Sequence, residues 1–187
     1  MSGFLLHLLR HGAPEGAGRL LGRTDAAPTA EGIATCARQC RGLGVERLIA
    51  SDLSRARQAG EVLATVHGLP LAIDPRWREL DFGAWDGLSP TEIDADAIGR
   101  FWGDPDASPP PDGERWSALV ARIAMAVDML EPVPTLIVTH GGAMRAALAV
   151  LCGFSMKAGW ALDLPYGALL SLRIWGPRSA QIVGLRG

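Results

Sequence analysis

Two histidines in this chain stand in matching local settings. Arg10-His11-Gly12 closes the apolar run Phe4-Leu5-Leu6-His7-Leu8-Leu9, and His140-Gly141-Gly142 closes Leu136-Ile137-Val138-Thr139. Each reads as the end of a buried strand. In α/β proteins the carboxyl ends of the strands are where ligands bind. A histidine there with an arginine beside it suits an anionic group. Guanidinium offers paired donors and a permanent charge, while imidazole attacks phosphorus and leaves it readily.

Two further segments carry charge at element ends. Ser51-Asp52-Leu53-Ser54-Arg55-Ala56-Arg57 follows a short apolar stretch and opens a helix, and Glu79-Leu80-Asp81-Phe82-Gly83 follows another. A carboxylic acid such as Glu79 can protonate a leaving oxygen, and a helix starting after His140 adds backbone N–H donors and a positive dipole end. Taken singly, each group has an ordinary reading: a core histidine, solvated helix arginines, a surface carboxylate. In a parallel sheet all four strand ends lie on one side, so their joint occurrence points to one convergent site.

The elements that must position these groups alternate strand and helix. The pattern predicts strands over 5–9, 47–50, 71–73 and 136–139, and helices over 30–43 (capped by Thr29), 53–67, 114–130 and 143–151. Two tail strands, 168–175 and 180–185, split by Gly176-Pro177, read as a hairpin at a sheet edge. This implies a mostly parallel sheet covered by helices on both faces. Residues 13–28 read as loop. Residues 75–113 form a long irregular insert with a short helix near 91–102; such an insert is expected to be either a lid over the site or a solvated proline-rich loop. Trp85 and Trp102 within it are candidate pocket walls. His7 reads as a core or edge residue, and His67 as a helix-end imidazole suited to the dipole.

The chain has 187 residues, enough for one domain with a substantial core. Its formal net charge of -2 gives no reason to expect nucleic acid or an anionic membrane as partner. The longest apolar stretch, around 146–152, is too short to span a bilayer, and no cleavable leader is evident, so a cytoplasmic protein is expected. Cys36, Cys40 and Cys152 form no CxxC pair and read as reduced thiols, the first two on one helix face.

These motifs resemble, in order and over nearly the whole chain, those of the histidine phosphatase superfamily, in the branch related to cofactor-dependent phosphoglycerate mutases. Leu9-Arg10-His11-Gly12 matches its defining motif. Ser51-Asp52-Leu53-Ser54-Arg55-Ala56 is similar to its serine-x-leucine-x-arginine-alanine element, Glu79 to Gly87 resembles its acid-bearing loop, and Thr139-His140-Gly141-Gly142 its second histidine motif. The resemblance implies a three-layer α/β sandwich of phosphoglycerate mutase-like fold, and with the length and loop pattern it gives one domain over 1–187 with the insert, read as lid-like, at about 75–113. It implies that His11 is the nucleophile that forms a phosphohistidine. Arg10, Arg55 and His140 would hold the phosphoryl oxygens, and Glu79 would be the proton donor and then acceptor. Gly22 and Arg23 align loosely with a substrate-contacting segment. Arg57 does not match the motif arginine and is expected at the surface.

The expected activity is hydrolysis of a small phosphate ester with no cofactor and no metal. Ala13-Pro14-Glu15 departs from the acidic or polar residue and threonine that many relatives carry there, which bears on substrate contacts and not on the nucleophile. The length of the chain and the run Phe82 to Gly87 are similar to alpha-ribazole phosphatases, making alpha-ribazole phosphate a candidate substrate beside a general phosphomonoester. Three alternatives stand: a divalent-metal site of His11, His140 and Glu79, opposed by the adjacent arginines; a phospho-ligand binding protein without turnover; and a phosphoglycerate mutase-type phosphotransferase. Monomer and edge-paired dimer are both open.

Overall fold

The computed structural model describes residues 3–176 and 178–187. Six strands form one sheet: β1 (Phe4–Arg10), β2 (Arg47–Ala50), β3 (Leu71–Ile73), β4 (Thr135–Thr139), β5 (Leu169–Gly176) and β6 (Ser179–Arg186), in the order β3-β2-β4-β1-β5-β6. The first four are mutually parallel, and β5 and β6 run antiparallel as an edge hairpin. Pro177, one of the residues expected to split that hairpin, lies outside the described residues.

The central strands β1 and β4 are apolar on both faces because both faces are covered. Leu6, Leu8 and Ile137 enter one apolar cluster, with Leu119, Ile123 and Leu148 of the helices α4 (Trp116–Asp128) and α5 (Gly141–Cys152). Leu9, Leu136 and Val138 enter the other, with Cys36, Ala59 and Leu63 around α1 (Ala30–Gln39) and α2 (Ser54–His67). The alternation of Leu8 and Leu9, or Ile137 and Val138, between clusters is the period-two geometry of a strand. The result is the α/β three-layer sandwich expected. Cys36 and Cys40 are buried free thiols, and Cys152 is half-buried. His7 is buried, its Nδ1 2.8 Å from Ser171 Oγ across the β1–β5 pair.

Thr29 caps α1 as expected, its Oγ1 accepting from Gly32 N. The helix stops at Gln39 rather than at residue 43, because Gly42 takes a positive φ of 73° in the turn that follows. Helix α4 is shorter than expected at its start: Glu114 stays outside and accepts from Arg122. A helix not foreseen, α6 (Met156–Trp160), is capped by Ser155.

The insert is ordered by tertiary packing rather than by any period of its own. It contains three short 3-10 turns and α3 (Ala95–Gly103). Trp77, Phe82, Trp85, Ile98 and Phe101 are buried in the same cluster as Leu6 and Leu8. Its proline-rich part is fastened by Ala84 N to Pro111 O and Glu114 N to Asp81 O, both 2.8 Å. It is therefore a packed wall and not a solvated loop. Among the described residues no helix is long and apolar enough to cross a membrane.

Candidate active site

Strand register brings the two histidines together. Arg10 pairs with Thr139 at the end of the β1–β4 ladder, and His11 N donates to Thr139 O at 2.9 Å, so His11 and His140 follow side by side. Ala50 pairs with Val138 on the other flank, and Ser51 N donates to Val138 O, which sets Ser51 beside His140. The His11 and His140 rings meet edge-on, centroids 4.9 Å apart. Gly12 lets α1 close over this strand end: a Cβ there would overlap the backbone of Gly32.

The hydrogen bonds of His11 define its reactive atom. Nδ1 lies 2.7 Å from Gly12 O, and a carbonyl only accepts, so Nδ1 carries the proton and Nε2 keeps its lone pair. Burial, with Arg55 and Arg10 nearby, pushes the His11 pKa down to about 3. The ring is therefore neutral at any ordinary pH.

Arg10 and Arg55 are held by carbonyls rather than by carboxylates. Arg55, in the first turn of α2 and 1% exposed, donates to Thr24 O, Leu21 O and Gly22 O. Arg10 donates to Leu164 O at 2.6 Å and lies 4.1 Å over the Tyr166 ring. These bonds fix the guanidinium groups without neutralising them. The loop that holds Arg55 is itself fastened by Asp86, which accepts from the N–H groups of Gly22, Arg23 and Thr24. Asp25 closes the same region by accepting from Ser54 N and Ser54 Oγ at the start of α2.

Among the described residues six buried side-chain nitrogens have no hydrogen-bond partner in the protein, and four of them, Arg10 Nε, Arg55 Nε, His140 Nδ1 and Trp160 Nε1, belong to this region. Such groups are rare and costly unless a ligand completes them. Glu79 completes the polar set. Its carboxylate accepts from Gly142 N at 2.9 and 3.2 Å, at the start of α5. A Cβ at Gly142 would overlap Glu79 Oε1, so a larger residue there would displace the carboxylate from this position. Arg10, His11, Arg55 and Glu79 line one cavity of about 260 Å³.

Ser51 governs the second histidine. Its buried Oγ is 2.9 Å from His140 Nε2 and accepts a longer bond from Leu53 N. Donating the hydroxyl proton to Nε2 satisfies both groups and leaves Nδ1 as an N–H donor. Burial, with His11 and the arginines nearby, holds the His140 pKa well below its usual value, so this neutral tautomer is the one present. Ser51→Ala is expected to lower kcat/KM by about tenfold to a hundredfold, the cost of a misdirected buried donor; steady-state kinetics check it, and unchanged kinetics would contradict it.

The depressed histidines also set the pH dependence of stability. His7, His11 and His140 all sit below their unfolded value of 6.5. Between that value and the folded one the unfolded chain binds more protons, so stability is full above about pH 6.5 and falls as pH drops toward 3. Each contributes a slope of about 1.4 kcal/mol per pH unit inside its window. Urea unfolding is expected to show a loss of more than about 2 kcal/mol between pH 7 and 5; a flat profile over that range would contradict the buried neutral rings.

Of the residues expected at the site, Arg10, His11, Arg55, Glu79 and His140 come together. Gly22 and Arg23 line not this cavity but an adjoining one that shares Glu79. Arg23 is largely exposed and ion-paired with Asp81, and Gly22 contributes a carbonyl to Arg55. Arg57 is a surface residue paired with Glu61. Trp102 lines the cavity and Trp85 does not.

Arg145, Tyr166 and Ser51 were not foreseen as site residues. Arg145 lies one helical turn after Gly141 and so shares its face. Tyr166 precedes the antiparallel strand β5, whose start lies beside the end of β1, as Arg10 N to Ala168 O shows. Both positions carried a usable signal.

Known proteins resemble this chain in sequence and in fold. A family model described as histidine phosphatase superfamily (branch 1) matches residues 6–185. The probable phosphoglycerate mutase GpmB of Erwinia tasmaniensis is 31% identical over 174 residues, covering 82% of this chain and 77% of that protein. A mycobacterial glucosyl-3-phosphoglycerate phosphatase structure superposes with a TM-score of 0.85 at 26% identity, covering 97% of both chains. The alpha-ribazole phosphatase of Shigella flexneri shares the fold, with a TM-score of 0.85 at 23% identity, over 98% of this chain and 96% of that one.

Proposed function

Since this chain belongs to the histidine phosphatase superfamily, branch 1, we propose that it is a metal-independent phosphomonoesterase acting on a small phosphorylated metabolite through a phosphohistidine at His11. The observation that carries this reading is the Nδ1–Gly12 bond. It leaves Nε2 as a neutral nucleophile in a cavity with two guanidinium groups held by backbone carbonyls and the donor His140 beside it.

In the first half-reaction the Nε2 lone pair attacks phosphorus and the P–O ester bond breaks. The leaving oxygen takes its proton from Glu79. Positive charge developing on the imidazole is met by Gly12 O at Nδ1–H, while Arg10, Arg55 and His140 receive the equatorial oxygens. In the second, water gives a proton to the Glu79 carboxylate and attacks phosphorus. The P–N bond breaks, the electron pair returns to Nε2, and inorganic phosphate leaves.

Glu79 enters the first step protonated and the second as a carboxylate. Alpha-ribazole phosphate remains a candidate substrate on the likeness of Phe82 to Gly87. The reading is tested by turnover of p-nitrophenyl phosphate in EDTA. Undiminished hydrolysis is expected, and loss of activity on chelation would overturn the metal-independent mechanism. The mutase alternative has a relative's name in its favour, and a phosphoglycerate isomerisation assay separates it from hydrolysis.

A further inference from the structure

We propose that the leaving-group end of the cavity is an aromatic subsite, so that the preferred substrates are phosphate esters of alcohols bearing a planar aromatic group rather than of alcohols without one. This rests on the phosphatase reading above and names its substrate class.

Beyond the phosphoryl groups the cavity is walled by Trp102, Trp116, Trp160, Phe82, Phe101 and Leu119. Among the described residues that line it there is no Ser, Thr, Asn, Gln or Asp; Glu79 is the one carboxylate, Tyr166 carries the one hydroxyl, and the Trp160 indole N–H is buried without a partner. A site that selects a polyol presents polar side chains to the hydroxyls, because discrimination by hydroxyl groups needs partners that would otherwise be left unpaired.

The cations at this end are already engaged. Arg19 donates to Gly87 O and pairs with Glu92. Arg145 donates to Gly159 O, Gly141 O and Leu162 O, and stacks 4.6 Å over Trp160. Arg145 is thus held by carbonyls and an aromatic ring, as Arg10 is, without being neutralised.

Trp102 supplies the recognition surface. It stands perpendicular to Trp160 at 5.1 Å and against Phe101 at 4.7 Å, forming an aromatic corner. Trp102 is 40% exposed and is one of the residues that line the cavity. A rigid, partly exposed ring beside a catalytic group suits edge or face contact with another ring.

The test compares kcat/KM for phenylpropyl phosphate, propyl phosphate and glycerol 1-phosphate, all esters of primary alcohols, so that differences report the subsite. Phenylpropyl phosphate is expected to exceed propyl phosphate by at least about tenfold, with glycerol 1-phosphate no better than propyl. In Trp102→Ala the phenylpropyl-to-propyl ratio should fall at least about threefold, and Trp102→Phe should restore much of it. A ratio near one in the wild type, a preference for glycerol 1-phosphate, or a ratio indifferent to Trp102→Ala would overturn the proposal. Calorimetry with phenylpropylphosphonate and propylphosphonate reads the subsite without turnover. If no ester is hydrolysed, the phosphatase reading fails, and equal binding of the two phosphonates would overturn the subsite separately.

Discussion

His11→Ala is expected to lower kcat for any phosphate ester by at least about 10⁴-fold, since removing a covalent nucleophile removes the pathway and not just a contact. The remaining site should still hold phosphate. Arg10 and Arg55 are fixed by carbonyls of Leu164, Thr24, Leu21 and Gly22, none of which depends on the His11 ring. The dissociation constant for inorganic phosphate is therefore expected to change by less than about tenfold in calorimetry. The variant should also unfold with a shallower loss of stability between pH 6.5 and 3, because one depressed histidine is gone. Turnover that persists in His11→Ala would place the nucleophile elsewhere.

Glu79→Gln carries the second large effect, and it depends on the leaving group. Glutamine keeps an oxygen to accept from Gly142 N but has no acidic proton to give. Alkyl phosphates, whose alkoxides need that proton, are expected to slow by about 10²- to 10⁴-fold. A nitrophenolate leaves without protonation, so phosphorylation of His11 by p-nitrophenyl phosphate should be affected far less. Dephosphorylation still needs a base for the attacking water, so the variant should release a burst of nitrophenol and then stall. Rapid-mixing absorbance measures this. A near-normal alkyl phosphatase rate with an unchanged acidic limb of the pH–rate profile would remove Glu79 from the proton-transfer role.

Much of this arrangement is legible in the sequence because it follows from strand chemistry. Runs such as Leu5 to Leu9 and Leu136 to Thr139 are apolar without alternation, as strands buried on both faces are, and each ends in the residue that matters. Once they pair in parallel, the histidines must be neighbours. Other features depend on tertiary context. The insert aromatics Trp77, Phe82 and Phe101 follow no period, and their burial comes from packing on the sheet rather than from local pattern. Gly22 and Arg23 lie in a loop whose course is set by Asp86, sixty-odd residues away in the chain, which turns their backbone toward Arg55 and the Arg23 side chain outward. The roles of Ser51, Arg145 and Tyr166 rest on hydrogen bonds and stacking that only the closed sheet creates. The chain's single tyrosine beside an antiparallel strand was the clearest signal left unused.

The central claim is the covalent bond to His11, and the most direct measurement is to trap it. Glu79→Gln, mixed with p-nitrophenyl phosphate, quenched in alkali and digested, is expected to yield the peptide containing His11 carrying one phosphoryl group, lost on mild acid treatment and absent from Glu79→Gln combined with His11→Ala. A nitrophenol burst with no phosphoryl group on that peptide, or with the group on another residue, would contradict the account.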